Sequence, residues 1–246
     1  AGRPVDMTTF VVAHGAWSSG WAWKKMRPLL RSQGHELFTP SYTGLGERSH
    51  LATPDIGLDT HIDDVINVLA YEDLRDVVLI GHSYGGMVAT GVADRAADRI
   101  FHLIYLDAFV PRDGQSLFEL VGPEGQRLTR EAAGRLGEGW RVPVNPLPPD
   151  TDPADVEWAT PKRVMQPMRT FEQPIRLTGN VDALPRSYIY CTRAAPGDVF
   201  RQFANRVRRD PAWQYREMDA SHNPHITAPN ALFEVLNGLL AHIDKQ

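Results

Sequence analysis

The chain has 246 residues, a length that one α/β domain commonly fills. Its 26 basic and 30 acidic side chains are spread along the sequence and leave a formal net charge of -4, so there is no basic stripe to neutralise phosphates and nucleic acid is not expected as a partner. No apolar run approaches the roughly 20 residues of a membrane-spanning helix, residues 1–6 lack an apolar leader core, and the single cysteine, Cys191, permits no intrachain disulfide. Provided that the native start is intact, these features predict a cytoplasmic protein without membrane contact, with Cys191 as a buried thiol.

In chain order, residues 10–13 (Phe-Val-Val-Ala) form a short apolar run ended by His14-Gly15, the pattern of a strand buried on two faces. Ile62, Val65, Ile66 and Leu69 then follow helical spacing behind a possible capping box of Thr60 with Asp63. A second apolar run, 77–80, stops at Gly81 and precedes a helix-compatible stretch, 87–97; a third fills 100–106. The stretch 111–185 breaks the rhythm, being rich in Pro and Gly with helical fragments but no clear strand. Strand 188–191, a helix carrying Phe200, Phe203, Ala204 and Val207, strand 213–218 and a last helix behind Pro229 complete the chain. Alternating strand and helix implies an α/β fold, a mostly parallel sheet with helices on both faces. Residues 1–110 and 186–246 are expected to form the core, and 111–185 a small cap inserted where such sheets bind ligands, outside the carboxyl ends of the strands.

The chemistry begins at Gly81-His82-Ser83-Tyr84-Gly85. With a strand before it and a helix after it, this pentad resembles the nucleophile elbow of α/β hydrolases, in which a sharp turn flanked by glycines pushes the serine hydroxyl out at the head of a helix. A serine hydroxyl needs an adjacent base, itself oriented by an acid. Among the histidines after Ser83, His102 lies within a strand and His242 on the last helix; His222 sits in the loop after the last strand, where this fold keeps its base, with His225 as the fallback. Asp107, at the end of strand 100–106, is the first candidate for the acid, and Asp198, in the loop after strand 188–191, is the alternative. The backbone amides of Ala16 and Tyr84 are candidates for an oxyanion hole, with Gly15 allowing close approach and His14 holding the loop by hydrogen bonds. The spacing of His222 and His225 offers no H-E-x-x-H helix, so no metal is expected. Trp17 and Phe109, which flank these motifs, and Trp140, Trp158, Met165 and Met168 in 111–185 are expected to make the substrate pocket largely apolar.

His14-Gly15-Ala16-Trp17, the pentad with Gly86-Met87 after it, the run 105–111 (Tyr-Leu-Asp-Ala-Phe-Val-Pro) and Ser221-His222 together resemble the plant methylesterase and hydroxynitrile lyase family and its bacterial carboxylesterase relatives. The resemblance covers most of the chain and is weakest in 111–185. It implies an α/β-hydrolase core with a small cap, no cofactor, hydrolysis of small esters with apolar or aromatic parts through an acyl-enzyme, and a homodimer. Plant members carry their acid a few residues after the strand matching 188–191; this chain has Ala194 there, which favours Asp107. The lyases of the family pair the histidine with a neighbouring lysine and use a threonine after the first core strand. Asn223 and Gly15 stand at those positions, so ester hydrolysis is preferred to cyanohydrin cleavage. A hydrolase fold that binds without catalysis is the third reading, opposed by the intact serine and histidine.

Overall fold

The computed structural model describes residues 7–243; the hexapeptide 1–6, read above for a leader, and both outer ends of the expected core lie outside the described residues. The chain runs β1 (Thr9–Ala13), α1 (Met26–Ser32), β2 (Glu36–Phe38), α2 (Leu58–Tyr71), β3 (Val77–His82), α3 (Gly85–Arg95), β4 (Ile100–Leu106), α4 (Leu117–Leu136), β5 (Arg141–Val142), α5 (Pro153–Ala159), β6 (Gln166–Pro167), α6 (Arg169–Glu172), β7 (Arg186–Cys191), α7 (Arg201–Arg208), β8 (Trp213–Met218), α8 (Pro224–Thr227) and α9 (Pro229–Ile243). Six strands form one sheet in the order β2-β1-β3-β4-β7-β8, parallel at every pairing.

The strand period of two divides the core into two layers. Phe10, Val12, Val78 and Ile80 point to the face covered by Met26 and Leu30 of α1 and Leu232, Leu236 and Leu239 of α9. Val11, Ala13, Val77 and Leu79 point to the opposite face, under Ile62 and Val65 of α2, Val88 and Val92 of α3, and Phe203 of α7. Because β1 and β3 are covered on both faces, they read in sequence as continuous apolar runs rather than alternating ones. Full burial of one Val, Leu or Ile side chain stabilises by about 1.5–3 kcal/mol, so these layers, more than helix propensity, fix the position of each strand end.

Two local expectations are corrected. The α2 helix begins one residue after Gly57, whose side chain cannot cap, and Thr60 already lies inside the helix. A tertiary acceptor serves its first turn instead: Asp59 N donates to Gln173 Oε1 at 3.0 Å. β2 was not read from the sequence, since it has three residues and only Leu37 is buried. The 111–185 stretch contributes no strand to the main sheet; it holds α4, α5, α6 and the antiparallel pair β5–β6. Ser116 Oγ accepts Glu119 N at 3.2 Å and starts α4, which breaks at Gly122 (φ 87°) before Pro123. Among the described residues no helix is long and apolar enough to cross a membrane.

Candidate active site

The turn between β3 and α3 holds Ser83 at φ 56°, a left-handed conformation that costs a non-glycine residue on the order of 1–3 kcal/mol and persists only where its surroundings enforce it. They do so here. A Cβ at Gly85 would collide with Ala13 O and one at Gly86 with Phe109 O, so β1 and the loop after β4 press against the turn. The Ser83 carbonyl accepts Gly86 N at 3.0 Å and Phe109 N at 3.2 Å. Asp107, the first residue after β4, is also left-handed at φ 42°. Its N–H donates to Ile189 O at 2.8 Å, and its Oδ1 accepts Cys191 N at 3.1 Å, so β7 fixes both its backbone and its carboxylate.

His222 lies in the loop after β8, and its Nδ1 is 2.6 Å from Asp107 Oδ2. With a carboxylate as acceptor, Nδ1 carries the proton and Nε2 keeps its lone pair. The ring stacks on Phe200 at 4.8 Å and 12°, and tilts over His82 at 4.8 Å. His82 Nε2 donates to the His222 carbonyl oxygen at 2.8 Å, tying the histidine loop to the serine turn. Asp107 is buried while the His222 side chain keeps 28% of its surface exposed, the arrangement of an anchored carboxylate and a reachable imidazole. Among the described residues no hydrogen bond within 3.5 Å joins Ser83 to His222 in this conformation. Asp198 is engaged elsewhere: Oδ1 accepts Phe200 N at 2.9 Å and Oδ2 accepts the Tyr190 hydroxyl.

The loop after β1 is held by buried polar groups. His14 Nε2 accepts Tyr42 N at 3.1 Å, which leaves Nδ1 as the donor to Gly15 O at 2.8 Å. Tyr42 stacks on His14 at 3.7 Å and on His61 at 4.6 Å, and His61 Nδ1 accepts the Tyr84 hydroxyl at 2.8 Å. Burial pushes His14 and His61 down to about 3 and keeps both rings neutral. No protein acceptor takes the Ala16 or Tyr84 backbone N–H among the described residues.

Ser83, Asp107, His222 and the Ala16 and Tyr84 residues line one cavity of about 730 Å³. Residues 10–235 match the model of the alpha/beta hydrolase family. The chain belongs to this family. Among known hydrolases it is 38% identical to the carbendazim hydrolyzing esterase of Nocardioides sp. (strain SG-4G), over 95% of this chain and all of that protein. Two solved structures share the fold: an extracellular alpha/beta-hydrolase from a Paenibacillus species (TM-score 0.84, 22% identity, covering 94% of this chain and 98% of that one) and methylesterase MES16 from Arabidopsis (TM-score 0.77, 23% identity, 96% and 99%).

The cavity of this hydrolase gathers Gly15, Ala16, Trp17, Ser83, Tyr84 and Asp107, and with them Phe109, Asp198, His222 and His225. Four residues assigned to it from the sequence are elsewhere. Trp140 lies under the Arg141 guanidinium, 5.2 Å from its ring. Trp158 packs edge-on against Trp21 at 5.3 Å between Lys25 and Lys162, and neither Met165 nor its neighbour Met168 reaches the cavity. Helical fragments without a clear period gave no way to tell which face of 111–185 turns inward. The segment instead supplies Leu117 and Val121 of α4 and Phe171 of α6. A signal for α4 was present in Ser116-Leu117-Phe118-Glu119, a capping box ahead of an apolar pair. His225 is buried and stacked on Trp23 at 4.6 Å. Burial, followed by the nearby His222, pushes it down to about 3. His102 is a buried strand residue bonded to Ser187 Oγ at 2.6 Å. Cys191 is buried, which pushes its thiol up.

Proposed function

We propose that this hydrolase cleaves small carboxylic esters with apolar or aromatic parts by a two-step acyl transfer centred on Ser83. Ser83 Oγ attacks the ester carbonyl while His222 Nε2 takes the hydroxyl proton. Asp107 holds Nδ1–H, fixing the tautomer, and stabilises the imidazolium. The Ala16 and Tyr84 amides donate to the tetrahedral oxyanion. Collapse expels the alkoxide, which leaves as the alcohol with the proton from His222. Water, deprotonated by the same imidazole, then attacks the acyl-enzyme, and the acid departs as Ser83 recovers its proton. Residues 111–185 act as the cap on a core made of 1–110 and 186–246.

The observation that carries this reading is the 2.6 Å bond between His222 Nδ1 and Asp107 Oδ2, at the rim of the cavity that Ser83 enters. Gly15 supports hydrolysis over cyanohydrin cleavage: a Cβ there would sit 3.1 Å from His82 Nδ1 and 3.4 Å from Ser83 Cβ, so the loop is shaped around the absence of the side chain that the lyases use. The test is turnover of para-nitrophenyl acetate, methyl esters and carbendazim, with mass spectrometry of the quenched enzyme. Wild type should gain one acyl mass on Ser83 and Ser83→Ala should gain none and turn over nothing. Substantial activity in Ser83→Ala would reject the assignment.

A further inference from the structure

One buried amide links the 111–185 segment to the loop that carries an oxyanion donor. Gln166, the first residue of β6, is fully buried. Its Oε1 accepts the Trp17 backbone N–H at 3.0 Å, across 149 residues of sequence. Its Nε2 donates to Thr170 Oγ1 at 2.9 Å, which in turn donates to Pro167 O at 2.6 Å. The amide is thus bonded at both ends and held in one orientation, with its oxygen aimed at the loop. Two further bonds run between the same parts: Trp17 Nε1 to Val142 O at 3.0 Å, and Val164 N to Trp17 O at 3.2 Å. Trp17 needs such restraint, because its φ of 61° is sparsely populated by an aromatic residue. The amide that Gln166 grips belongs to the peptide joining Ala16 to Trp17, so the orientation of that plane constrains the Ala16 N–H one residue earlier.

We infer that Gln166 is a positioning residue for the oxyanion hole, acting on Ala16 through Trp17; this rests on the serine-hydrolase reading above. Its loss should let the Ala16–Trp17 peptide relax toward commoner backbone angles and so turn the Ala16 N–H, on the preceding peptide, away from the oxyanion, with little change in the cavity that binds the ground-state ester.

The test compares Gln166→Met, which fills the same volume without an acceptor, with Gln166→Glu, whose carboxyl oxygen still accepts the Trp17 N–H. Readouts are kcat and KM for para-nitrophenyl acetate and the affinity for phenylboronic acid. Boron takes the Ser83 oxygen, the hydroxyl proton passes to His222, and a hydroxyl oxygen of the tetrahedral boronate anion meets the two amides. For Gln166→Met the expectation is a loss of about 10-fold to 100-fold in kcat, a matching loss of boronate affinity and a nearly unchanged KM. Gln166→Glu should recover most of both. Should Gln166→Met not fold, Thr170→Val, which leaves the amide unanchored, should show a smaller loss in the same direction. Wild-type kcat and boronate affinity in the folded variant, or equal losses in the Met and Glu variants, would overturn the inference. Retained turnover in Ser83→Ala would overturn the serine reading and this inference with it; an inactive Ser83→Ala beside a fully active Gln166→Met overturns this inference alone.

Discussion

The carboxyl edge of the parallel sheet and the 111–185 segment above it are held by different means. Trp17, Ser83 and Asp107, after β1, β3 and β4, keep left-handed φ values of 61°, 56° and 42°. Each is fixed by hydrogen bonds: Trp17 N to Gln166 Oε1, Ser83 N to Leu106 O, Asp107 N to Ile189 O. The outer side of 111–185 is held by exchangeable side chains, such as the ion pair of Arg130 with Glu172, 41% and 38% exposed, or the cations beside Trp140 and Trp158. Such exposed contacts contribute about 1 kcal/mol or less each. The edge groups stand where many strands over-determine the backbone, while the outer side chains of the segment can change at little cost.

The largest effect that separates the two regions should come from acid. All nine histidines lie outside 111–185, and burial holds His14, His61 and His225 at about 3 and His102 at about 4. Their folded values lie below the unfolded value near 6.5, so unfolding takes up protons below pH 6.5. The stability they allow is fully present above pH 6.5 and is lost as pH falls toward 3. Within that window each should cost up to about 1.4 kcal/mol per pH unit. Urea unfolding followed at pH 7, 6 and 5 should show a steep decline, which His61→Gln makes shallower; a flat profile would break the comparison.

Phe171→Ala probes the contact between the two regions. The ring meets Trp17 at 6.0 Å, Tyr84 at 5.8 Å and Phe118 at 6.0 Å, and it is 4% exposed. A loss of about 3–5 kcal/mol in unfolding free energy is expected, together with a raised KM for aromatic esters. Gly86→Ala attacks the edge alone, where the new methyl meets Phe109 O. It should cost about 1–3 kcal/mol by thermal unfolding and lower kcat by displacing Ser83. Trp140→Ala, outside the cavity, should leave kcat/KM almost unchanged and cost about 1 kcal/mol or less; a large rise in KM would mean that the segment turns a different face inward.

The same contrast governs what could be read from the sequence. β1, β3, β4 and β7 were visible because burial on both faces makes apolar runs, and Ser83, Asp107 and His222 because each stands where such a run, or the last strand, gives way to a turn. The choice between Asp107 and Asp198 needed spatial contacts, since the Tyr190 hydroxyl and Phe200 amide that engage Asp198 leave no mark in spacing. Trp140, Trp158, Met165 and Met168 fall outside the cavity, because tertiary packing alone decides which side of a short helix or loop faces in. The neutral histidines beneath the loop after β1 were equally hidden, as a buried and an exposed histidine look alike in sequence.

The most direct measurement is the turnover of para-nitrophenyl acetate by wild type, Asp107→Asn and Asp198→Asn, each first shown to be folded by circular dichroism. Asp107→Asn should lose about three to four orders of magnitude in kcat, and Asp198→Asn should keep most of its activity. The reverse pattern, or full activity in Asp107→Asn, would contradict the assignment of Asp107 as the acid.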